Sequence, residues 1–142
     1  MKLDDKDRSI LAVLKNDSRV SMRELAKKVE MSAPAVTERV RQMESFGIIK
    51  GYGAEIDYKK MGFPIECMIE ATVKNGEYDR FRKFILGQEN VEFCYRIAGK
   101  ACFMLKIRCE SLQRVEEFIN LAIPFASTVT HVILSEVERL SE

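Results

Sequence analysis

Two short amphipathic stretches lie almost back to back, and that spacing constrains the fold more than any other feature of this sequence. The first opens at Ser21-Met22-Arg23-Glu24, a capping-box arrangement, and carries Leu25, Ala26 and Val29 at helical spacing. The second opens at Ser32, with Pro34 in its first turn, where a missing amide hydrogen costs nothing. It holds Val36, Val40 and Met43 on one side and stops at Gly47, a residue suited to a left-handed helix end. Only Glu30-Met31-Ser32 separates the two stretches, too few residues for an antiparallel hairpin of helices. They must cross at a steep angle, which is the helix-turn-helix arrangement.

A third helix precedes this pair. Asp4 is placed to cap it with Asp7 three residues on, and Ile10, Leu11 and Leu14 give it an apolar stripe that Asn16-Asp17-Ser18 breaks. A small three-helix bundle with no DNA role would share this pattern, so charge helps to separate the readings. Residues 1–62 carry 13 Lys/Arg against 10 Asp/Glu, whereas residues 63–142 carry 10 against 12. The basic surface therefore lies in the half that would meet phosphates. Residues 48–56 have strand character with two glycines, and predict an extended connector pairing with another strand or a second subunit. Residues 57–64 read as the boundary, giving a helix-turn-helix domain at 1–62 and a second domain at 63–142.

The second half alternates. Ile65, Cys67, Ile69, Ala71 and Val73 mark a strand of period two; residues 77–86 read as a helix with Tyr78, Phe81 and Ile85 on one face. Val91, Phe93, Tyr95 and Ile97 mark a second strand, and Gly99-Lys100 turns the chain into a third with Phe103, Leu105, Ile107 and Cys109 on one side. Ser111 caps a helix holding Leu112, Val115, Phe118 and Ile119, stopped by Pro124, and residues 129–134 form the last strand. The order β-α-β-β-α-β is the ferredoxin-like unit, so the fold class is α+β. Its helices cover one side of the sheet. The bare side is expected to show Met68, Glu70, Thr72, Cys94, Arg96, Cys102, Met104 and Lys106, a mixture apolar enough to call for self-association.

Several function classes drop out. The four cysteines show no C-x-x-C spacing, and His131 is the only histidine, so neither a metal site, a cofactor nor a histidine-based triad is expected. No apolar run reaches the roughly 18 residues of a membrane span. The charged N-terminus lacks an apolar signal core, which predicts a cytoplasmic protein with no membrane partner.

The run from Met31 through Ser32-Ala33-Pro34-Ala35-Val36-Thr37-Glu38-Arg39-Val40-Arg41-Gln42-Met43 to Glu44, followed by Gly47-Ile48-Ile49, resembles the signature of the Lrp/AsnC (feast/famine) family of transcription regulators. Glu92-Phe93-Cys94-Tyr95-Arg96-Ile97-Ala98-Gly99 is similar to LrpC-like bacterial members in particular, and the likeness extends from Leu3 to Glu138. The resemblance implies a winged or strand-flanked helix-turn-helix plus an effector domain, with homodimers assembling into octamers or similar oligomers on double-stranded DNA. Two departures stand out. Glu30 occupies a turn position where the family usually has glycine. Gly99-Lys100-Ala101-Cys102 replaces a loop that often carries two aspartates able to help hold an amino-acid effector.

In this architecture the N-terminal part of the last of the three helices meets base edges. The candidate DNA contacts are Ser21, Arg23, Ser32, Ala33, Pro34, Ala35, Thr37, Glu38, Arg39 and Arg41. Ser32 and the amides after it suit a phosphate, because a helix start carries partial positive charge. Ala33, Ala35 and Thr37 permit close approach, while Arg39 and Arg41 are the long donors to guanine or phosphate. Arg19, Lys27, Lys28 and Lys50 join Arg23 in neutralising backbone charge. By resemblance, an amino-acid effector would meet Ile97, Gly99, Lys100, Ala101, Cys102, Thr128, Thr130, His131 and Val132. The function implied is sequence-preferring transcription regulation. The alternatives are an architectural DNA-wrapping protein without effector, or an enzyme on the same two-domain build.

Overall fold

A computed structural model describes residues 1–138. Its contacts divide the chain into two units, Met1–Glu55 and Ile56–Glu142. The turn at residues 57–62, read from sequence as the end of the first domain, packs with the second unit. There the Arg108 guanidinium sits 3.9 Å from the Tyr58 ring centre and the Tyr58 and Phe63 rings meet edge-on at 6.5 Å.

The N-terminal unit holds α1 (Asp5–Asn16), α2 (Met22–Val29) and α3 (Ala33–Ser45). Each helix contributes its apolar stripe to one core: Ile10 and Leu14 from α1, Leu25, Ala26 and Val29 from α2, and Val36, Val40 and Met43 from α3. Burying each larger side chain completely contributes about 1.5–3 kcal/mol, which is how three short helices hold together. The reciprocal capping box forms at Asp4 and Asp7 of α1. At Ser21 only half of it forms: the Glu24 amide donates to Ser21 Oγ at 3.1 Å, and no return bond from Glu24 is made. Gly47, at φ 74°, closes α3, with the Ile48 amide donating back to the Met43 carbonyl. The strand expected within residues 48–56 is not formed in this chain. Extended backbone needs a neighbour to satisfy its amides, and none of the strands of the sheet pairs with it.

The second unit contains β1 (Ile65–Val73), α4 (Tyr78–Leu86), β2 (Val91–Arg96), β3 (Phe103–Cys109), α5 (Leu112–Ala122) and β4 (Ala126–Val132). The strands form one antiparallel sheet in the order β2-β3-β1-β4, as the ferredoxin-like unit requires. Cys67, Ile69, Ala71 and Val73 of β1 and Phe103, Leu105, Ile107 and Cys109 of β3 are buried together with Phe81, Ile85, Val115 and Phe118 of the helices. Phe81 and Phe103 meet with ring centres 5.0 Å apart. Leu112, expected inward, is exposed; Ala122 lies buried at the other end of α5. The last strand starts three residues earlier than the sequence suggested, at Ala126.

The main correction concerns β2. Its register against β3 shifts between Val91, which pairs with Ile107, and Phe93, which pairs with Lys106. Glu92 is thus an extra residue, and beyond such a bulge every side chain changes face. Cys94 and Arg96, expected on the bare side, pair with Leu105 and Phe103 and face the helices. Cys102 also packs against the core. Phe93 and Tyr95 take the bare side, stacked at 5.0 Å beside Met104, Lys106, Met68, Glu70 and Thr72.

Candidate nucleic-acid interface

Two serines start the crossed helices. Ser21 Oγ and Ser32 Oγ accept the amides of Glu24 and Ala35 at 3.1 and 3.3 Å, so each hydroxyl satisfies a helix-end donor while staying exposed. The turn between them depends on Glu30. This residue adopts φ 56° and ψ 51°, which lets the Met31 amide reach the Ala26 carbonyl at 3.0 Å. That left-handed residue bends the chain sharply enough to start α3 at once.

The sides of α3 then separate. Val36, Val40 and Met43 are buried, while Pro34, Glu38 and Arg41, on the far side, are exposed. Ala33, Ala35 and Thr37 are partly covered at the helix start; the Thr37 hydroxyl donates to the Ala33 carbonyl at 2.8 Å, leaving its oxygen free to accept. Arg41 pairs with Glu38 at 3.0 Å on the surface. Arg23, in the first turn of α2, is exposed, as are Arg19, Lys27, Lys28 and Lys50.

Arg39 is placed differently from the other long donors. Its Nη1 lies 2.7 Å from both carboxylate oxygens of Asp4 and 3.0 Å from Asp7 Oδ1, both in the first turn region of α1. Asp7 is buried. The Arg39 hydrogen bond, seconded by the Asp7 amide, holds the Asp4 carboxyl at about 2, below its usual 3.8. The same contacts push Arg39 above its ordinary value. The two partners sit 32 and 35 residues away in the chain, outside the reach of any pattern within α3.

The effector candidates do not gather in one place. The Ile97 amide donates to the Cys102 carbonyl and the Cys102 amide to Ala71, both at 2.9 Å, which closes a loop with Gly99 and Lys100 exposed and Ala101 buried. The Tyr78 hydroxyl lies 3.2 Å from Cys102 Sγ, and the Arg96 guanidinium lies 4.6 Å from the Tyr78 ring centre. Tyr78, the Val73 amide and Arg96 together lower the thiol's pKa. Thr128, Thr130 and Val132 pair with Ala71, Ile69 and Cys67 on the helix-side face of β4. His131 points to the bare face, with Nε2 2.9 Å from Glu70 Oε2. β2 and β4 are opposite edges of the sheet; Cys102, at the close of the loop, is separated from Thr128 by β1 alone, about 10 Å.

Comparison with known proteins fits this geometry. A model of the AsnC-type helix-turn-helix domain matches residues 3–44, and one of the Lrp/AsnC ligand binding domain matches residues 66–141. The HTH-type transcriptional regulator LrpC of Bacillus subtilis is 61% identical over 138 residues, 97% of this chain and 96% of that protein. Its solved structure superimposes with a TM-score of 0.94, covering 97% of this chain and 99% of that one. The Neisseria meningitidis regulator NMB0573, solved as an L-Met complex, shares the fold at a TM-score of 0.89 and 21% identity, covering 97% of this chain and 94% of its own. With a helix-turn-helix unit matched over residues 3–44 and a βαββαβ unit over residues 66–141, the chain belongs to the Lrp/AsnC family of transcriptional regulators.

Proposed function

We propose that this regulator binds double-stranded DNA by laying the start and outward side of α3 into the major groove. The observation that carries this reading is the division of α3 into a buried side and a solvent side that bears Pro34, Glu38 and Arg41. Ser32 and Ser21 offer helix starts to phosphates, Ala33, Ala35 and Thr37 allow close approach, and Arg23 adds a phosphate contact from α2. Glu38 is suited to accept from a cytosine amine, and Arg41 to donate to guanine or phosphate.

The bare sheet face, enriched by Phe93 and Tyr95, is the surface through which two copies pair, and dimers assemble further toward an octamer. The protein works in the cytoplasm as a regulator, not an enzyme; among the described residues no helix is long and apolar enough to cross a membrane. An amino acid is the proposed effector, by analogy with the L-Met complex of NMB0573. Its site would combine the loop at residues 97–102 of one copy with residues 128–132 of another, because a single sheet separates them.

Fluorescence anisotropy with a labelled duplex over a range of salt concentrations tests the DNA reading. Arg23→Gln and Arg41→Gln should each lower the slope of log affinity against log salt by about one where they meet a phosphate. Arg41→Gln should instead lose about 1–3 kcal/mol of preference at one base pair if it meets guanine. Absence of binding to any duplex at low salt would refute the reading. Tyr95→Asp should shift the chain toward monomer in sedimentation. Calorimetry with an amino-acid panel tests the effector: no heat and no change in oligomer size would remove it.

A further inference from the structure

We propose that Arg39 is a positioning residue: it fixes the tilt of the reading helix by locking α3 to the first turn of α1, and it does not itself contact DNA. The inference rests on α3 being the helix that meets the duplex, as proposed above.

The geometry of the lock is specific. One guanidinium nitrogen reaches three carboxylate oxygens, two on Asp4 and one on Asp7, at 2.7 to 3.0 Å. The acceptors are also held by each other's backbone amides. The Asp7 amide donates to Asp4 Oδ1 at 2.8 Å, and the Asp4 amide donates to Asp7 Oδ2 at 3.1 Å. The capping box that starts α1 is therefore also the docking point for α3, and little side-chain freedom remains to be lost there. Asp7 is only 4% exposed, and a carboxylate so covered needs a cation beside it. Turning Arg39 out toward a duplex would leave that charge unpaired.

The same turn of α1 holds the other crossed helix. Lys6 Nζ donates to the carbonyl of Val29, the last residue of α2, at 2.7 Å. One helical turn thus grips α2 at its end and α3 along its flank. The angle between them is set by polar contacts that lie away from the outward side of α3. Side-chain exposure agrees with the division of labour: 31% for Arg39 and 71% for Arg41.

The test uses the full chain, a fluorescently labelled duplex and a salt series, with affinities corrected for the folded fraction. Arg39→Gln and Asp7→Asn should each weaken binding about tenfold, the scale of a lost charge-assisted hydrogen bond. The salt slope should stay that of the parent, whereas Arg41→Gln lowers it by about one if Arg41 meets a phosphate. The double variant Asp7→Asn with Arg39→Gln should be no weaker than the worse single variant, since both act on one lock. Asp7→Asn is the sharp case. Removing a negative charge would by itself tighten DNA binding, so the expected loss runs against simple electrostatics.

If the parent protein binds no duplex, the reading of α3 fails. If the parent binds and Asp7→Asn binds equally well or more tightly, the lock fails and the reading survives. A slope lowered by about one in Arg39→Gln would likewise overturn the proposal, by making Arg39 a phosphate contact. Should Arg39→Gln not fold, Arg39→Lys replaces it: the charge is kept and the planar fork lost, and binding should fall with the slope unchanged.

Discussion

Replacing Glu30 by glycine and by alanine isolates the energy stored in the turn between α2 and α3. Glu30 is the one non-glycine residue with positive φ among the described residues, at φ 56° and ψ 51°. A side chain on Cα in this region costs about 1–2 kcal/mol through its approach to the backbone. Both variants remove the carboxylate, so whatever it contributes cancels in the comparison. Alanine retains the Cβ and its strain, whereas glycine does not. Glycine gives back about 0.4–1 kcal/mol through the greater freedom of its unfolded chain. Glu30→Gly should therefore exceed Glu30→Ala in stability by about 0.5–1 kcal/mol, or about 3–6 °C in the melting of a unit this size. Differential scanning calorimetry of the two variants under one buffer reads that difference. Equal melting temperatures, or a more stable alanine variant, would refute the strain argument and place the origin of the sharp turn elsewhere.

Acid should loosen the start of α1. Asp4 titrates at about 2 when folded against an ordinary 3.8, so its contribution is complete above about pH 4 and disappears as pH falls toward 2. Hydrogen exchange of the α1 amides across that window should speed up in the parent and show no such step in Asp4→Asn. Thiol alkylation followed by mass spectrometry should modify Cys102 first, since Tyr78, the Val73 amide and Arg96 favour its thiolate. Cys67 and Cys109 should react last, because burial raises both thiols. Equal rates at Cys102 and Cys67 would contradict the geometry around Tyr78.

Much of the fold was legible because local patterns and tertiary contacts agree. Ile10 and Leu14, Leu25 and Val29, and Val36, Val40 and Met43 keep helical spacing and are the residues buried. The alternation of β1 and β3 likewise survives intact, since both strands sit in the middle of the sheet with one face covered. What escaped was decided by partners distant in the chain. Val91, Phe93, Tyr95 and Ile97 look like one regular face, yet pairing with β3 inserts Glu92 and reverses the sides after it. Residues 48–56 have strand composition, but among the described residues they form no strand. Arg39 reads as a free donor on its own helix, and only the folded bundle brings Asp4 and Asp7 to it. The outward residues of α3 were legible from periodicity, and the separation of β2 from β4 followed from the ferredoxin-like order; the faces taken by Cys94 and Arg96 were not, because the bulge at Glu92 is set by pairing with β3.

The irregularity at position 92 has a consequence for comparing this chain with its relatives. Aligning the segment by hydrophobicity alone would match Phe93 and Tyr95 to interior positions and misassign every site from there to the end of the strand. A gain or loss of one amino acid here exchanges an aromatic exterior for one carrying a thiol and a guanidinium, without altering a single side chain. In this part of the molecule, residue count governs surface chemistry more strongly than residue choice.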